Sequence, residues 1–301
     1  MKKNGRSSYA GVLLVIFAGI GWGANGVLGV LAPAEALPVA KGAMRLLLSG
    51  VALELICFYL YRNSDSNSEL QKSSFTGERL SGFLTATAGI VGYNMTFYSA
   101  VILTGVTVGT MIAVGSSPVI AGITGRILFR ERFTKRWYIT TAMAVTGCVF
   151  LAAAGNKGTA LVFNPAGILL ALLSGFFYSL TGTGFRIAQD SSFRNLAHSF
   201  MAGGLITAPL LFIYKATWFF TPRGFMVAVL IALAATVIPY ILFYGGIKRI
   251  SLGKAYTLSL SEPLTAWLLS FLLFGEELSA YGVTGVALLV TAIAVLATEK
   301  K

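Results

Sequence analysis

The chain has 301 residues, of which 56% are hydrophobic and 11% charged, and its mean hydropathy is +0.78. So few polar side chains cannot coat a water-soluble core, and the composition is that of an integral membrane protein. The net charge of +12 then has a topological meaning, because basic residues fix orientation and meet anionic headgroups, and it points to no nucleic-acid partner.

A helix needs about 20 apolar residues to cross about 30 Å of hydrocarbon. Runs of that kind fall at 10–31, 37–61, 80–101, 104–128 and 137–154, and again at 165–185, 195–214, 225–247, 252–274 and 280–298. They are continuous and too long for barrel strands, which would alternate over about ten residues. Lys2, Lys3 and Arg6 ahead of the first run imitate a secretion signal. The run has an internal counterpart that cannot be cleaved, however, so the first helix is expected to stay in the fold. Only 62–79 forms a long polar connector, and its Ser, Asn and Glu content reads as a solvated loop.

The two sets of runs are versions of one another. Residues 97–151 read again as 243–296: Phe97-Tyr98 with Phe243-Tyr244, Pro118 with Pro263, Leu128-Phe129 with Leu273-Phe274, and Glu131 with Glu276. Earlier, GVLLVIFAGIGWGANG from Gly11 pairs with GILLALLSGFFYSLTG from Gly167. The expected units are therefore 1–155 and 156–301. An internal repeat of apolar segments is a mark of secondary transporters.

With the N-terminus in the cytoplasm, eighteen basic residues fall on that side and four, Lys41, Lys157, Lys215 and Arg223, on the other. This imbalance puts both termini inside. Five helices per unit is odd, so the second unit enters from the opposite face. The fold class is thus all-α integral membrane, ten transmembrane helices as two inverted five-helix repeats.

Several chemistries lack their motifs. No phosphate cradle of the GxxxxGK[ST] type occurs, and the GxGxxG of Gly21–Gly26 lies inside a membrane helix with no preceding strand. Glycines there, as in Gly19-x-x-x-Gly23 and Gly105-x-x-x-Gly109, are read as close helix contacts. Cys57 and Cys148 are read as small hydrophobes, and the single histidine, His198, has no partner cluster. No metal site, cofactor or catalytic constellation is expected, so the chain is not read as an enzyme.

Ionisable side chains inside hydrocarbon are functional candidates, since each costs roughly 2.5–3.5 kcal/mol on insertion scales. Arg45, Glu54 and Glu262 qualify. Arg45 and Glu262 come out near the midplane, roughly 12 Å and 15 Å along helices 2 and 9 from opposite faces. Glu54 lies nearer the cytoplasmic end, within reach of interfacial water, and Lys41 is placed to snorkel outward. Glu262 is read as a carboxylate facing an aqueous cavity, able to bind a proton or a substrate amine. Pro263 beside it frees backbone groups that a cavity can use. Arg45 is read either as a holder of a substrate carboxylate or as a structural group paired with carbonyls or Glu262. Pro118, Pro209, Pro239 and Pro263 mark breaks that suit rocking elements. Aromatic residues on the same helices, among them Trp22, Tyr93, Tyr98, Tyr178, Tyr240, Tyr244, Tyr256 and Trp267, are candidates for a pocket wall or for core.

WGAN of the first helix, Arg45 of MRLLL, SSPVIAGITGRILFRERF in helix 4 and SEPLTAWLLSFLLFGEEL in helix 9 together resemble the drug/metabolite transporter superfamily, in particular ten-helix exporters with two EamA-type domains. The likeness spans nearly the whole chain. It implies a central cavity made by helices 1, 3, 4, 6, 8 and 9, with helices 5 and 10 as supports. By position, Trp22, Asn25, Tyr98, Ser117, Tyr178, Tyr244 and Glu262 would face or border it. It also implies a small-molecule substrate and residence in the cytoplasmic membrane of a bacterium or archaeon, as a monomer or homodimer. Ser117 stands where the second repeat has Glu262, which makes any proton or cation site asymmetric.

The resulting expectation is a proton-coupled exporter of small amphipathic metabolites, amino acids first, working by alternating access. The rivals are an inward carrier of a quaternary amine or nucleoside, and a membrane interaction protein that moves no solute and has a dry interior.

Overall fold

A computed structural model describes residues 3–62, 77–155, 164–188, 193–274 and 279–299, and these are helical with no strand among them. Most of the expected connector 62–79, together with Lys157, Lys300, Lys301 and Glu276, lies outside the described residues.

Among the described residues the helices group into ten segments. They are α1 (Lys3–Val30), α2 (Pro38–Tyr61), α3 and α4 (77–104 and 106–128, the two arms of Gly77–Leu128), α5 (Lys135–Gly155), α6 (Pro165–Ile187), α7 (Arg194–Ile213), α8 (Pro222–Ile247), α9 (252–274) and α10 (Ala280–Ala297). Local chemistry starts several of them. Pro38, Pro165 and Pro222 sit in first turns, where a missing N–H costs nothing. Asn164 accepts from the amides of Ala166 and Gly167, Thr221 from Gly224 and Ser279 from Gly282, each capping a helix.

Two spans depart from simple rods. Gly105 joins α3 to α4 at φ 80° and ψ 163°, a backbone region open essentially to glycine alone. A Cβ there would meet nothing within 4 Å, so Gly105 is a turn and not the helix contact that its spacing from Gly109 suggests. The span α9 is discontinuous: Leu252–Leu258 ends, the chain turns, and helix resumes at Ser261–Phe274. Pro263 falls in the first turn of the resumed helix, so the proline that seems to interrupt α9 in fact fits its restart.

The packing displays the internal symmetry. Helix α1 lies against α8 and both halves of α9, while α6 lies along the bent pair α3 and α4. Since α1, α3 and α4 correspond to α6, α8 and α9, these are the same arrangement made twice. The remaining helices pair with their own counterparts, α2 with α7 and α5 with α10. The expected all-α architecture of two five-helix repeats is the one observed.

Candidate functional site: a central cavity with two unpaired charges

A cavity of about 550 Å³ enters the bundle from the face opposite the termini. Its mouth is set by the ends of α1 and α2 (Val30, Pro38), the α3–α4 turn (Val101, Val106), the end of α5 (Ala152) and Ser270 of α9. At greater depth it is lined by Trp22, Arg45 and Glu262. Helices α2 and α5 thus contribute wall, through Lys41, Arg45, Cys148 and Leu151, whereas α6 contributes none. The likeness to known exporters implied the reverse for helices 5 and 6.

Close backbone approach positions Glu262. A Cβ on Gly19 would lie 2.0 Å from Ser261 Oγ, and one on Gly23 would lie 2.6 Å from Thr265 Cβ and 2.7 Å from the Glu262 carbonyl. Only glycine lets α1 pass here, and Ser261 Oγ fastens the crossing by donating to the Ile16 carbonyl at 3.1 Å. Glu262 occupies the first turn of the resumed half of α9. There the positive end of the helix dipole favours a negative group.

Arg45 and Glu262 line one cavity without pairing: no nitrogen–oxygen contact within 4.0 Å joins them. Arg45 is 9% exposed, and its Nε and the Trp22 Nε1 have no hydrogen-bond partner in the protein. Buried donors rarely go unanswered, and because both residues line the cavity these two are candidates for a ligand's acceptor atoms. Lys41, one turn above Arg45, reaches the Gly29 carbonyl at 3.5 Å and also faces the cavity. Glu54 is not in the cavity; it meets His198 Nδ1 at 2.5 Å between α2 and α7, a partnership that the sequence pattern does not suggest.

The aromatic residues divide into two groups. Trp22, Tyr93, Phe97, Tyr98 and Trp267 line the cavity, and Asn25 stands among them. Beneath lies a plug in which Trp22 meets Tyr178 at 5.8 Å, Tyr240 at 5.0 Å and Phe243 at 5.2 Å, and Tyr178 meets Tyr256 at 4.9 Å. Tyr256 Oη ties the plug to α6, donating to the Tyr178 carbonyl at 2.5 Å and accepting from the Gly182 amide at 3.2 Å. Tyr178 therefore supports the floor without lining the cavity. Ser117, fully buried, turns its hydroxyl to the Val114 carbonyl at 2.8 Å. Tyr244 lies on the far side of the plug, edge-on to Phe185 with Lys248 Nζ over its ring at 4.1 Å.

On the termini face the two repeats are tied together. Glu131, in the α4–α5 connector, accepts the Leu252 amide with both oxygens at 2.9 and 3.0 Å, capping α9, and lies 3.5 Å from Arg186 at the end of α6. Arg186 in turn donates to the carbonyls of Ile247 and Ile250, the latter at 2.7 Å. One carboxylate and one guanidinium thus bind the first repeat to three helices of the second.

Comparison with known proteins agrees with this architecture. The model of the EamA-like transporter family matches twice, over residues 9–153 and 165–298. An uncharacterized transporter of Bacillus subtilis (strain 168), YwfM, is 34% identical over 96% of this chain and 94% of its own length. A second from the same organism, YcbK, is 29% identical over 48% of each chain. A solved crystal structure of a protein only 18% identical shares the fold, with a TM-score of 0.80 over 95% of both chains. Two matched repeats covering nearly the whole length, and a relative of that identity, establish that the chain belongs to the EamA-like transporter family.

Proposed function

We propose that this transporter is a proton-coupled exporter of small amphipathic metabolites, amino acids first, working by alternating access of its two inverted halves in the cytoplasmic membrane with both termini inside. The observation that carries the reading is the unpaired Arg45 and Glu262 on a cavity walled by aromatic rings. A zwitterion fits that layout: its carboxylate meets Arg45 and Trp22 Nε1, its amine meets Glu262, and its side chain meets Tyr93, Phe97 and Trp267. A cavity of about 550 Å³ falls within the range usual for small-molecule sites. Coupling follows when the Glu262 carboxylate holds either a proton or the substrate amine, but not both. With the termini inside, the opening faces outward, the side on which an exporter releases substrate and takes up a proton.

Purified protein in liposomes, assayed with and without an imposed pH gradient against a panel of amino acids, tests this. The gradient is expected to accelerate transport by the native chain and to have no effect on Glu262→Gln. Equal gradient dependence in the two would remove the proton role of Glu262.

A further inference from the structure

A second cavity, of about 560 Å³, lies outside the transport path. It is a groove on the outer surface between α4 and α5, walled by Val119, Gly122 and Ile123 on one side and Trp137, Ala142 and Val145 on the other. Val119 is 48% exposed and Ile123 54%, so the groove opens toward hydrocarbon. From Val119 to Arg126 it follows two turns of α4, roughly 10 Å, in the leaflet on the termini side. One leaflet supplies about half of a 30 Å hydrocarbon core, so an acyl chain lying there stays at its natural depth.

The headgroup end is cationic by construction. The apolar walls give way to Arg126, whose Nη1 donates to Tyr138 Oη at 3.3 Å. The connector beyond adds exposed Arg130, Arg132 and Lys135. Its carboxylate, Glu131, is engaged by the Leu252 amide and Arg186. The wall is also shared with the transport machinery: Phe133 and Trp137 stack at 4.1 Å and close on Gly253 at the start of α9.

We propose that this groove holds one anionic glycerophospholipid, its phosphate on Arg126 and Tyr138 and one acyl chain along the α4–α5 wall. The site is independent of the substrate and of proton coupling. Native mass spectrometry of the full-length protein, with phosphatidylglycerol or phosphatidylcholine of identical chains, tests it. Retention of phosphatidylglycerol is expected to exceed that of phosphatidylcholine about fivefold, the usual contribution of one basic residue near an anionic surface. Arg126→Gln lowers the preference. Ala142→Phe, which places a ring in the groove from its exposed side, lowers retention of both lipids without shifting the melting temperature. Free glycerol phosphate, which lacks chains, does not bind. Equal retention of the two lipids by the native chain, an unchanged preference in Arg126→Gln, unchanged retention in Ala142→Phe, or displacement of lipid by glycerol phosphate would each overturn the proposal.

Discussion

Weakening the Glu131 junction should open the termini face. Its carboxylate makes two contacts with the Leu252 amide and faces Arg186, which itself holds the carbonyls of Ile247, at the end of α8, and of Ile250 just beyond it. Hydrogen bonds to a charged group contribute about 1.5–3 kcal/mol each. Glu131→Gln keeps an acceptor for Leu252 but loses the charge opposite Arg186, a change of about 1.5 kcal/mol. Glu131→Ala removes both, about 3 kcal/mol or more. If these bonds exist only while the termini face is shut, the equilibrium moves toward the opposite opening roughly tenfold in the first variant and over a hundredfold in the second. Two reporters in a background lacking Cys57 and Cys148 read the shift. Ser270→Cys, on the cavity mouth, should lose labelling by an impermeant maleimide, and Ala255→Cys, fully buried beneath the junction, should gain it. Unchanged labelling at both positions in Glu131→Ala, in protein of normal melting temperature, would refute the assignment of the junction as a closure.

Three further outcomes are expected. Arg45→Gln should raise the apparent KM for a carboxylate-bearing substrate tenfold to a hundredfold, the loss of one charged hydrogen bond, while its ester analogue is little affected. Gly23→Ala drives a Cβ to within 2.6 Å of Thr265 and should cost about 1–3 kcal/mol, lowering the melting temperature together with transport; Gly26→Ala, which meets nothing within 4 Å, is the neutral control for stability. Gly105→Ala has open space but a positive φ, so about 1–3 kcal/mol of pure backbone strain should appear in thermal unfolding, whereas Gly115→Ala, also in open space, shows none.

Much of the scaffold was readable because its causes are local or additive. Span length, charge asymmetry and the repeated motifs each accumulate over many residues, and the ten helices appear close to where the apolar runs fall. The likeness of Gly11–Gly26 to the stretch from Gly167 likewise anticipates that α1 and α6 are equivalent. Charges in hydrocarbon were readable for the same reason: Arg45 and Glu262 are costly wherever they face, so each draws notice before any geometry is known. What was not readable depends on rotation about a helix axis. Ser117, Tyr178 and Tyr244 were marked by alignment position, yet the turn of α4, α6 and α8 directs them to a carbonyl, the plug and the termini face. Helix α5 is apolar on every side, so no pattern reveals that Cys148 and Leu151 reach the cavity. The Glu54–His198 contact and the Glu131–Leu252 cap join residues more than a hundred positions apart, and neither motif contains its partner.

The two repeats share a scaffold but not a chemistry. Pro118 in α4 aligns with Pro263 in α9, but α4 runs through its proline as one helix while α9 stops at Leu258 and restarts at Ser261. The difference is consistent with the side chain beside each proline. Ser117 satisfies its hydroxyl on its own helix, at the Val114 carbonyl, and needs nothing from outside. Glu262 cannot do so, because a carboxylate has no proton to give a carbonyl, and a helix start, with the positive end of its dipole, is a favourable local setting for it. A break in α9 supplies that start near the middle of the membrane, and the glycines of α1 bring a second helix against it. Between these two aligned prolines only the second marks a helix start, so the buried carboxylate belongs to a single helix, in the second repeat.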